Sequence, residues 1–172
     1  AVVIHELKTQ DPVHQITIIP RGPAGGLTIS LPEEDRMYQS RQELQERICT
    51  CLGGRVAEEL VLGDISTGAS NDLERVTKIA RSLVLVYGMS EKLPNLNYYD
   101  STGQDHGFNK PYSDETANII DSEVKRIINE QYERAKSILR EYAEQHNRIR
   151  DLLVEREVIL SLIHISEPTR LA

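Results

Sequence analysis

The sequence holds no tryptophan, one phenylalanine, two methionines and two cysteines, and aromatic residues make up only 5% of its 172 positions. A core made from such a chain has to be aliphatic, built from Ile, Leu, Val and Ala. The two cysteines, Cys49 and Cys51, lie close together in an apolar stretch of helical character, where their side chains point in different directions. They do not bridge each other comfortably, so there is no disulfide framework, which suggests a reducing compartment. No apolar run approaches the ~20 residues that a bilayer-crossing helix needs, and the first residues lack the basic-then-apolar layout of a signal peptide. No direct membrane contact is expected of this segment. There is no G-x-x-x-x-G-K-[ST] run to cradle the phosphates of a nucleotide, and no internal repeat. Positive charge is also in short supply: 20 Lys and Arg stand against 27 Asp and Glu, a formal charge of -7, which argues against nucleic acid as a partner.

What is present is an ordinary globular composition, 39% hydrophobic and 27% charged, at a length that suits one compact domain. The first residues, to about Thr9, read as the end of a helix broken by Asp11-Pro12. Val13 to Ile19 and Leu27 to Leu31 are rich in β-branched residues and flank a Gly/Pro-rich stretch, which predicts two short strands joined by a loop. Ser40-Arg41-Gln42-Glu43 has the form of a capping box and predicts a helix to about Leu62, with Leu44, Ile48, Leu52, Val56 and Leu60 on a buried stripe. Gly53-Gly54 in its middle would let another backbone approach. Asn71 is a candidate cap for a next helix that stops near Gly88. Residues 95–112 read as a long loop, Ser113 caps a long helix reaching at least Tyr142, and a short helix over about 148–159 folds back on it. The expected class is mainly α, with a small β hairpin or sheet near the N-terminus. Residues 160–172 share neither the charge nor the period of what precedes them. They look like translated adapter read-through or a cloning scar, so the expected domain is 1–159, followed by a non-native tail.

Histidine is the first place to seek a metal site. His5-Glu6 opens like H-E-x-x-H, but Leu7-Lys8-Thr9 follow and the second histidine is missing. No two of His5, His14, His106, His146 and His164 stand one helical turn apart, and each reads as a surface or loop residue. Asp72 lies at a predicted helix start, where a carboxylate is commonly a partner of the helix dipole rather than a metal ligand.

The stretch Thr67-Gly68-Ala69-Ser70-Asn71-Asp72-Leu73-Glu74-Arg75 nonetheless closely resembles the signature of the FtsH family of membrane-anchored AAA proteases. Asp11 to Gly22, Leu31 to Asp35, Leu52 to Leu60 and Tyr87-Gly88-Met89-Ser90 resemble further blocks of that family, in its order and spacing. The resemblance covers roughly residues 1–159. It implies an ATP-dependent zinc metalloprotease, peptidase family M41, whose zinc is held by two histidines of a His-Glu-Ala-Gly-His motif and by a later aspartate. The third ligand falls on Asp72. The motif normally comes directly before the equivalent of Ala1-Val2-Val3, so both histidines and the catalytic glutamate would lie upstream, leaving no catalytic residue in this chain and an incomplete zinc site.

The resemblance also sets Glu58 and Glu59 beside the zinc helix. Either orients a histidine there, or both are solvated or paired with Arg55. Gly25-Gly26-Leu27-Thr28-Ile29 resembles the strand along the family's cleft, an edge able to bind extended polypeptide, though an ordinary hairpin edge fits the same residues. ATP and magnesium belong to the parent's AAA domain, and the parent is expected to be a homo-hexamer at the bacterial inner membrane with this domain on the cytoplasmic side. The alternative is a helical oligomerisation or interaction module without catalysis. A metal-free decoy homologue is a third reading.

Overall fold

A computed structural model describes residues 1–20, 25–32, 37–99 and 112–160. The chain runs α1 (Val2–Glu6), β1 (Val13–Thr17), β2 (Leu27–Ser30), α2 (Arg41–Leu62), a 3-10 turn (Thr67–Ala69), α3 (Ser70–Leu85), α4 (Asp114–Glu141), α5 (Ala143–Arg156) and β3 (Val158–Leu160). The molecule is mainly helical, with one three-stranded antiparallel sheet in the order β2-β1-β3. Among the described residues no helix is long and apolar enough to cross a membrane.

Local chemistry sets the two longest helices. Ser40 closes a reciprocal box at the start of α2: its side chain accepts from the Glu43 N–H, and the Glu43 carboxylate accepts from the Ser40 N–H at 2.6 Å. Gly63, at φ 68°, ends that helix in the left-handed region that glycine enters without penalty. Ser113 caps α4 by accepting from the Thr116 N–H. The core forms two apolar clusters. One gathers α1, β1, the later part of α2 and α5; the other gathers the earlier part of α2 with α3 and the first half of α4. Tyr132 of α4 packs against both. The stripe Leu44, Ile48, Leu52 and Val56 is buried as expected.

Three expectations change. The helix placed over 148–159 begins at Ala143 and stops at Arg156, because Glu157 takes φ 61°; the chain then becomes strand β3, which pairs with β1 through Gln15–Leu160, Ile16–Ile159 and Thr17–Val158. Leu160, the first residue set apart with the tail, therefore belongs to the sheet, while 161–172 lie outside the described residues, as do His106, His164 and most of the 95–112 loop. Asn71 is not a cap: the 3-10 turn comes first, capped by Ser66, and Asn71 sits inside α3. At Gly53 the close neighbour is not a backbone but the Val3 side chain of α1, whose methyl would lie 3.3 Å from an added Cβ, and Gly54 has open space.

Candidate functional site

The segment between α2 and α3 is shaped by one carboxylate. Glu58, near the end of α2, accepts the Ser66 hydroxyl at 2.7 Å and the Ser66 N–H at 3.2 Å; the Ser66 hydroxyl oxygen in turn accepts the Gly68 N–H at 3.2 Å. These bonds, from the hydroxyl first and then the backbone, hold the Glu58 carboxyl below the usual glutamate range. The chain of bonds leads directly into the first turn of α3, where Asp72 sits half-buried. The positive helix end stabilises its charge, and no other described residue donates a hydrogen bond to it. Glu59 points elsewhere. It accepts Lys136 Nζ at 2.6 Å and the Tyr132 hydroxyl, tying α2 to α4, and these two bonds keep its carboxyl ionised to lower pH. Neither glutamate hydrogen-bonds Arg55 or a described histidine.

The histidines stay apart. His5 Nδ1 lies 2.7 Å from Glu6 Oε1, His14 is exposed on β1, and His146 is half-buried on α5, where burial lowers its pKa. Among the described residues no three of His, Cys, Asp and Glu come together in a way that would hold a metal ion. Asp72 is a single donor. A catalytic zinc takes three protein donors and keeps an open position, so the donor set of the described residues does not by itself fit zinc.

A cleft of about 690 Å³ runs between β2 and the helices, with Thr28 and Ser30 on one wall and Glu43, Arg47, Thr50, Cys51 and Arg75, one turn after Asp72, on the other. Among the described residues strand β2 is an edge, hydrogen-bonded to β1 alone, and Leu27 and Thr28 are exposed. Gly26 approaches its partner so closely that a Cβ there would sit 2.9 Å from the Thr17 carbonyl oxygen, whereas Gly25 has open space. The Cys51 thiol is raised by burial first and then by the charge of Asp72, an effect opposed by Arg75 and Arg47.

The sequence model of Peptidase family M41 matches residues 1–163. The chain belongs to peptidase family M41. Its relatives in that family include the ATP-dependent zinc metalloprotease FtsH of Parabacteroides distasonis, 61% identical over 155 residues, which cover 90% of this chain and 22% of the relative. ATP-dependent zinc metalloprotease FtsH 1 of a Thermoanaerobacter species is 51% identical over 162 residues, with 91% and 26% covered, and FtsH of Bacillus subtilis is 46% identical over 159 residues, with 89% and 25% covered. The M41 chain thus spans about a quarter of the length of these relatives. Sequence reasoning did not find Ser66 as the partner of Glu58. A serine two before a glycine at a helix approach is the local turn signal that points to it. Nor did it find Arg47 and Arg75, which only the packing of α2 against α3 brings to one cleft.

Proposed function

We propose that this chain is the peptidase part of an ATP-dependent zinc metalloendopeptidase that degrades unfolded or membrane proteins, with Asp72 as the third zinc ligand. The observation that carries this reading is the placement of Asp72: a carboxylate to which no other described residue donates, set on a helix start that Glu58 holds through Ser66, one turn before Arg75 in the wall of a cleft with an open strand edge. Glu58 is a positioning residue in this reading, holding the turn that delivers Asp72. Gly25, Gly26, Leu27 and Thr28 form the rim on which an extended polypeptide pairs with β2 by main-chain hydrogen bonds. Zinc, when bound, supplies Lewis-acid polarisation and an activated water. The residues present account for one donor, the peptide rail and its orientation. The unit runs over 1–160, with Leu160 in β3, and residues 161–172 are a tail outside it. Assembly as a homo-hexamer, ATP and magnesium in a neighbouring domain, and a place on the cytoplasmic side of a bacterial inner membrane complete the proposal for the parent protein.

Zinc content tests it. We expect about one zinc per chain when a His-Glu-Ala-Gly-His helix is added upstream, and loss of that zinc on Asp72→Ala in the extended form. An extended chain that stays metal-free, or that keeps zinc without Asp72, would overturn the ligand assignment and favour a helical assembly module.

A further inference from the structure

Two guanidinium groups in the cleft have no partner among the described residues. Arg47 and Arg75 both line it, and neither makes a hydrogen bond or ion pair with another described residue. By contrast, Arg126 and Arg134 are engaged with Glu123, Glu130 and Glu46. Arg47, Thr50 and Cys51 stand at i, i+3 and i+4 of α2 and so share one face, and Arg75 stands one turn beyond Asp72 on α3. The Thr50 hydroxyl is out of solvent and without a partner among the described residues. Opposite them is β2, whose Thr28 and Ser30 line the same space.

The cleft is not a uniformly basic patch, because Asp11 and Glu43 also line it. Glu43 is held in the capping box of α2, one turn before Arg47. A guanidinium fork matches a carboxylate in two parallel hydrogen bonds, a geometry that a carboxamide cannot reproduce with charge.

Building on the reading of β2 as the peptide rail, we propose that Arg47 and Arg75 form a specificity subsite for a carboxylate on the bound polypeptide, one helical turn from Asp72. The carboxylate is an Asp or Glu side chain of an extended segment, or the free C-terminus of a peptide.

Three β-forming decapeptides separate these cases: a capped one with a central Glu, a capped one with Gln in its place, and one with Gln and a free C-terminus. Binding to the full chain is read by fluorescence anisotropy, and the strand contacted by NMR shifts of the β2 amides. The Glu peptide is expected to bind about five- to tenfold more tightly than the Gln peptide, as a charge-assisted pair at a partly exposed site allows. This preference should shrink with added salt and disappear in Arg47→Gln/Arg75→Gln, while Arg47→Lys/Arg75→Lys keeps part of it. A preference shown only by the uncapped peptide assigns the subsite to a C-terminus. Equal binding of all three with β2 shifts intact overturns the subsite and leaves the peptide rail standing. Absence of β2 shifts with every peptide overturns both.

Discussion

Glu46 carries a charge where no side-chain surface is exposed. Burial alone would raise its carboxyl pKa, but the Thr9 hydroxyl at 2.6 Å, Gln42, the Thr9 N–H at 2.9 Å and Arg134 at 3.0 Å outweigh that and bring it from 4.5 to about 2. Glu123, equally buried, is brought to about 2 by Arg126, against the opposing effect of burial and with help from Ser90. A depressed folded-state pKa means that the stabilisation is complete above about 4.5 and is lost as pH falls toward 2. Each group contributes on the order of 3 kcal/mol across that window. Urea midpoints followed from pH 6 to pH 3 should therefore fall steeply for the native chain and less steeply for Glu46→Gln and Glu123→Gln; parallel slopes would show that these pairs do not set the acid limit. Replacing Glu46 by Leu, which strands Arg134 and the Thr9 N–H, is expected to cost roughly 3 kcal/mol or more at neutral pH in the same titration. Glu58 is a different case because it is more open to solvent. Glu58→Ala should leave global melting nearly unchanged while hydrogen exchange at the Ser66 and Gly68 amides accelerates; unchanged exchange there would remove its positioning role.

At the scale of elements, the legible parts were those with local causes. The Ser40 and Ser113 caps, the end of α2 at Leu62 and the β-branched runs of β1 and β2 are each fixed by a few neighbouring residues, and each appears where the sequence placed it. β3 was not legible, because Val158-Ile159-Leu160 is too short to show a period and owes its strand form to partners on β1. The proposal for Asp72 starts only from the resemblance of its stretch to a family, since a carboxylate at a helix start is ordinary chemistry. The cleft arginines were not legible at all, because their meeting depends on how α2 and α3 pack. The hairpin offers a clean contrast between neighbouring glycines. Gly26→Ala forces a methyl against the Thr17 carbonyl and is expected to destabilise by about 1–3 kcal/mol, whereas Gly25→Ala meets nothing and should stay within about 0.5 kcal/mol. Equal effects in chemical denaturation would mean that the strands separate more easily than their spacing implies.

The whole molecule depends on a few residues that join its two apolar clusters. Tyr132 packs against both, and its hydroxyl and the neighbouring Lys136 reach Glu59 of α2. Tyr132→Ala is expected to cost about 2–4 kcal/mol and to broaden the thermal transition as the clusters melt less cooperatively. A sharp single transition at an unchanged midpoint would show that the clusters are coupled elsewhere. The sheet joins the molecule in another way, since β1, near the start, has β3 for one neighbour and β2 for the other. A ribosome delivers the chain in one direction at roughly 5–20 residues per second, so β1 waits on the order of ten to thirty seconds for that neighbour to be made. Until β3 arrives, an open edge of the newborn sheet is the five-residue β1 rather than the three-residue β3, and the protein is most exposed to pairing with another copy on the same messenger.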